Sequence, residues 1–142
     1  MAFASLCGGL CLANAGLGAV HGFAAVLGGR YPIPHGVCCA TLLSHVIKGN
    51  IQALRQREPD SPILNRYADT ARIVAGSADS RALIKRITGL CSAMHIPRLS
   101  AFGVTADAVP ELVELAQQAS SMKANPIKLT PEELTSILTA AL

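Results

Sequence analysis

Acidic residues are missing from the first 57 positions, and no charged residue of either sign occurs between Met1 and Gly29. A metal site built within that part of the chain must draw on histidine and cysteine, because it has no carboxylate to use. Aromatic residues are also scarce: there is no tryptophan, and only two tyrosines and three phenylalanines occur among 142 residues. The core must then be made of Ala, Leu, Ile and Gly, a composition that suits closely packed helices. The twelve Lys and Arg form no cluster interleaved with aromatics and leave a net charge of only +3, so nucleic acid is not expected as a partner.

Cys7, Cys11, Cys38, Cys39 and Cys91 are an odd number of cysteines without framework spacing. That excludes a secreted disulfide scaffold and fits a reduced, cytoplasmic setting. No Lys or Arg precedes the apolar run MAFASLCGGLCLANAGLGA, so its Ala-Asn-Ala lacks the positive region that a signal peptide requires. Gly8, Gly9, Asn14, Gly16, Gly18 and His21 interrupt the same run, where a membrane span needs about 20 strongly apolar residues. No membrane partner is expected, and a buried core helix is the better reading.

A chain of this length is one domain by the usual prior and can bury roughly 70% of its unfolded surface. Half of it, 51%, is hydrophobic, and apolar residues recur at helical rather than alternating spacing almost throughout, so the expected class is an all-α, multi-helix bundle. The first helix should run from about Ala2 to Val26, apolar on every side and therefore buried. Gly28, Gly29, Pro32 and Pro34 break the pattern. A second helix should start near Pro34 and stop at Gly49-Asn50.

Further helices are expected from about Pro62 to Val74, capped by Ser61, and from Asp79 or Ser80 to Met94. Thr105 should cap another from Ala106 to about Ser120. Thr130-Pro131-Glu132-Glu133 reads as a capping box with proline at the first helical position.

The stretch AVHGFAAVLGGRYPIPHG holds two histidines, His21 and His35, fourteen positions apart. On one unbroken helix they would stand ~21 Å apart, which excludes two ligands of one metal that must each lie ~2.0–2.2 Å from it. The Gly-Gly and Pro breaks let the chain fold back and aim both at one point. From composition alone each reads first as a core or helix-end residue, and two histidines are too few for a catalytic metal site, which usually has three protein ligands.

A Cys2His2 set with Cys7 and Cys11 is conceivable, although C-x3-C within a helix makes a poor knuckle. Cys38 and Cys39 could line a pocket, but packing is their default. His45 and His95 read as structural residues.

The runs ANAGLGAVHGFAAVLGG and PHGVCCATLLSHV, followed by IPRLSAFGVTADAVPELVELAQQASSMKANPIKLTPEELTSIL, resemble the iron-containing alcohol dehydrogenase family across essentially the whole chain. The resemblance implies the C-terminal helical domain of that family's dehydroquinate synthase-like fold, with residues 1–142 as one metal-binding domain. It implies His21 and His35 as ligands of a catalytic iron, or zinc, in an NAD(P)-dependent oxidoreductase acting on small alcohols and aldehydes.

Many members carry a third histidine four residues after the first, where this chain has Ala25, which puts the proton-relay role in doubt. The family's other two metal ligands, an Asp and a His, and its nucleotide-binding domain have no counterpart here. The isolated chain is therefore expected to be inactive and to leave NAD(P) binding to the missing domain. A homo-oligomer, or association through an exposed apolar face, is expected. The competing readings are a non-catalytic helical assembly module and an exported or membrane-inserted peptide, the exported form processed near Ala15.

Overall fold

A computed structural model describes residues 2–142. Among them the structure is helical without a strand: α1 (Ala2–Ala15), α2 (Ala19–Arg30), α3 (His35–Arg57), α4 (Ile63–Ala75), α5 (Ser80–Ala93), α6 (Val109–Gln118) and α7 (Pro131–Ala140). Short 3-10 turns at Leu99–Phe102, Ala106–Ala108 and Ser120–Ala124 link the later helices. The all-α expectation holds. The long α3 is the centre of the arrangement and packs against α2, α4, α5 and α7, while α6 closes the bundle over α2 and α7.

The core follows from leucines and small residues at helical spacing. Ala19, Phe23 and Leu27 repeat every four positions and bury one stripe of α2. Leu42 and Leu54 of α3, Leu112 of α6 and Leu134 and Leu138 of α7 complete the same apolar cluster. These side chains are essentially excluded from solvent, and each fully buried leucine or phenylalanine contributes about 1.5–3 kcal/mol relative to exposure.

The first helix differs from the sequence reading in two ways. The expected single helix is two helices bent by 101°, and α1 has no buried residue. Gly16 causes the break by adopting φ +72°, a left-handed conformation that costs a residue with a side chain. An all-round apolar pattern implied burial, yet beyond the bend Phe3, Leu6, Leu10 and Leu12 are exposed. Among the described residues no single helix is long and apolar enough to cross a membrane, although α1 and α2 together have that length and apolarity across their bend.

Boundaries elsewhere shift for identifiable reasons. Helix α3 continues past Gly49-Asn50 to Arg57. Ser61 does not cap α4, whose N-cap position is Pro62. The stretch after Thr105 is a 3-10 turn that passes into α6 at Val109, and Thr105 makes no capping side-chain bond.

Two helix starts are fixed locally, the second of them as read. Asp79 accepts from the Arg81 amide at the start of α5. Thr130 and Glu133 make the reciprocal capping box of α7. His95 closes α5 at φ +53°, and its amide and that of Ile96 donate to Ser92 and Cys91, which satisfies the helix's last carbonyls in a Schellman arrangement.

Candidate metal centre

His21 lies in the first turn of α2, where its amide donates to the Gly18 carbonyl at 3.0 Å. The start of that helix is fixed from outside, because Asn125 Oδ1 accepts the Ala19 amide at 3.0 Å. His35 is the first residue of α3, and Pro34 at φ −58° delivers the chain to it. His21 was expected near the end of a helix and His35 at the start of the next. The structure puts both at helix starts, so a simple hairpin between α2 and α3 would leave them apart.

The link between the helices removes that separation. From His21 to Arg30 the α2 helix advances ~13 Å at ~1.5 Å per residue. Tyr31 and Pro34 have extended backbone, and the five steps from Arg30 to His35 can cover up to ~17 Å. The extended link therefore carries the chain back to the level of His21. Buried Ile33 anchors it in the core. The two imidazole rings end with their centroids 5.3 Å apart and their planes tilted by 47°.

A third group joins them. Cys39 follows His35 by one helical turn on α3, and its Sγ lies 3.5 Å from His35 Nε2 and 3.9 Å from His21 Nε2. One donor atom from each of His21, His35 and Cys39 lies within 4.8 Å of the others. His35 is exposed; His21 and Cys39 are half-buried. Burial, and then the charge of His35, hold the His21 imidazole below its ordinary value of 6.5. The neutral, metal-binding form of His21 is thus the one present near pH 7.

The neighbouring cysteines divide. Cys38 points into the core with 1% exposure, and burial followed by the influence of Cys39 pushes its thiol up to about 11. It is a packing residue, as read. Burial also raises the Cys39 thiol, but unlike Cys38 its sulfur faces both histidines. Cys7 and Cys11 are not in this group. Ala25, one turn beyond His21, is exposed and offers no titratable group. Beside the cluster runs a mainly apolar groove of about 460 Å³, lined by Leu17, Val20, Leu43, Val46 and Tyr67 with His21 and Cys39 at its edge.

His45 stands apart on α3. Burial, then the positive charges of Arg98 and Lys48, hold its imidazole below 6.5. The folded chain therefore takes up this proton less readily than the unfolded chain. Stability should be indifferent to His45 well above pH 6.5 and should decline as pH falls through that value, with His21 acting in the same direction. In urea melts of metal-free protein, His45→Gln is expected to flatten the decline; identical slopes for variant and parent would refute this.

Comparison with known proteins points to one family. Residues 1–142 match the family model "Fe-containing alcohol dehydrogenase family, C-terminal". The chain is 34% identical over 142 residues to alcohol dehydrogenase 4 of Saccharomyces cerevisiae, covering 99% of this chain and 36% of the yeast protein. It is 35% identical to the 1,3-propanediol dehydrogenase of Klebsiella pneumoniae, with the same coverage. A crystal structure of 1,3-propanediol oxidoreductase superposes with a TM-score of 0.84 at 33% identity, over 99% of this chain and 37% of that one. The chain thus spans about a third of the length of these relatives.

Proposed function

The chain belongs to the iron-containing alcohol dehydrogenase family, and from that membership we propose that it is the metal-binding helical domain of an NAD(P)-dependent oxidoreductase, with His21 and His35 as ligands of its iron or zinc. The observation that carries the reading is the meeting of two imidazoles from separate helices at 5.3 Å between centroids. Neutral imidazole suits both metals.

A bound cation would polarise an alcohol or carbonyl oxygen while nicotinamide carries the hydride. The chain's own residues do the positioning. Helices α2 and α3 hold the imidazoles, and the apolar groove beside them can receive the carbon skeleton of a small alcohol or aldehyde. Ala25 supplies no proton relay.

On this reading NAD(P) is bound mainly outside these helices, since the described residues contain neither a strand nor a glycine-rich loop following one. On this reading the 142-residue chain alone binds metal weakly and does not turn over. An odd number of cysteines without framework spacing supports a cytoplasmic setting.

Calorimetric titration of the purified chain with zinc, or with iron(II) under anaerobic conditions, tests the assignment. His21→Ala and His35→Ala should each weaken binding by at least the roughly 10–100-fold that follows loss of an outer-shell partner. The metal-loaded chain should produce no NADH from NAD and a small alcohol. Unaltered binding in both variants, or steady turnover by the chain, would sink the proposal.

A second reading, an association module, draws on Phe3, which is 78% exposed, and on exposed Leu6, Leu10 and Leu12 of α1. Apolar patches of this kind favour self-association or a partner. A clean monomer in sedimentation would count against it.

A further inference from the structure

We infer that Cys39 is a third protein ligand, so that this chain offers a His2Cys set suited to a thiophilic divalent cation. The inference rests on the assignment of His21 and His35 as ligands. It adds a donor from the same pair of helices.

The spacing supports it. With metal–nitrogen bonds of ~2.0–2.1 Å and a metal–sulfur bond of ~2.3 Å, tetrahedral coordination separates nitrogen from sulfur by about 3.6 Å. Cys39 Sγ stands 3.5 Å from His35 Nε2 and 3.9 Å from His21 Nε2. Both values lie within a few tenths of an ångström of that requirement, and all three donor atoms lie within 4.8 Å of one another.

The position is also fixed rather than accidental. Cys39 and His35 are one turn apart on α3, so they share a face. His21 is brought to that face by the extended link and by the anchoring of α2. Three ligands would leave the fourth tetrahedral position open for an oxygen.

Binding requires the thiol to lose its proton, which passes to solvent as the metal–sulfur bond forms. Thiolate sulfur favours zinc and cobalt(II) over harder cations such as magnesium or calcium. The chain should therefore discriminate among divalent ions.

Cobalt(II) titration of the full 142-residue chain gives a readout that needs no catalysis. The expected result is a sulfur-to-cobalt charge-transfer absorption that rises along a one-site isotherm and is missing in Cys39→Ser. Zinc competition should show Cys39→Ser weaker than the parent by more than the roughly 10–100-fold typical of an outer-shell loss. A band that survives Cys39→Ser, or equal zinc affinities with no band, would overturn Cys39 as a ligand while leaving the two histidines in place. Failure of His21→Ala and His35→Ala to alter metal binding would overturn the histidine assignment and this inference together.

Should Cys39→Ser not fold, zinc protection of the parent can be mapped by alkylation and mass spectrometry. Cys39 should be shielded in a folded, zinc-saturated sample and labelled in its absence. Equal labelling in both would refute the inference.

Discussion

Phe23→Ala is expected to lower the unfolding free energy by about 3–5 kcal/mol, the range found when a buried phenylalanine is cut back to alanine. Phe23 has no exposed surface and sits at the middle of the Ala19, Phe23, Leu27 stripe that α2 buries. That stripe faces the helices against which α2 packs, α3 and α6. Little else can fill the space, because the chain has only two other phenylalanines and no tryptophan, and the alanines nearby are too small.

The loss is large against a typical total of about 5–15 kcal/mol. With a urea slope of ~2 kcal/mol/M, the unfolding midpoint should fall by about 2 M. Ala25→Ser, at an exposed position on the same helix, should stay within about 0.5 kcal/mol of the parent. A midpoint for Phe23→Ala within about 0.3 M of the parent would mean that α2 is not held by this packing. His21 rides on the same helix, so loosening α2 should also blur its distance to His35 and weaken metal binding.

What could be read from the sequence was whatever a few neighbouring residues decide. Thr130, Pro131 and Glu133 specify the start of α7 among themselves, and Asp79 does so for α5. Leucines at helical spacing give the all-α class. Gly49-Asn50 misled because its outcome depends on residues far along the chain. A Cβ on Gly49 would come within 2.6 Å of Ile137 Cδ1, so glycine there serves the contact between α3 and α7 rather than a stop. Asn50 is turned inward to Asn125 and Tyr67. Tertiary partners satisfy both residues, and the helix continues through them.

The candidate site shows the same division. His21 and His35 stood out because no charged residue precedes Arg30 and glycines and prolines lie between the two. Cys39 did not, although it stands four residues after His35, because that spacing matters only once the extended link returns the chain to His21. Such a return depends on backbone conformation at Tyr31 to Pro34, which the sequence constrains at the two prolines alone. The bend at Gly16 was hidden for a related reason: glycine in an apolar run reads equally as a close-packing residue and as a break.

Asn125→Ala is expected to destabilise the chain by about 3 kcal/mol, the upper part of the range for leaving buried hydrogen-bonding groups unpaired. Its side chain makes four bonds from one loop position. Oδ1 accepts the Ala19 amide at 3.0 Å and Asn50 Nδ2 at 3.3 Å. Nδ2 donates to Asn50 Oδ1 at 2.8 Å and to the Ile127 carbonyl at 2.7 Å. Alanine would strip Asn50, which is only 2% exposed, of its acceptor's partner and leave it the Tyr67 hydroxyl at 3.1 Å.

The consequence reaches the candidate metal centre, because the Ala19 amide opens the helix that presents His21 two residues later. Asn125→Ala should therefore weaken zinc binding although it touches none of the three proposed ligands. Asn125→Asp separates the two effects, since its carboxylate can still accept the Ala19 amide while losing the donor to Asn50 and Ile127. That variant should recover zinc affinity more fully than stability. If Asn125→Ala lowers the urea midpoint while zinc affinity matches the parent's, the start of α2 is set by core packing and not by this cap.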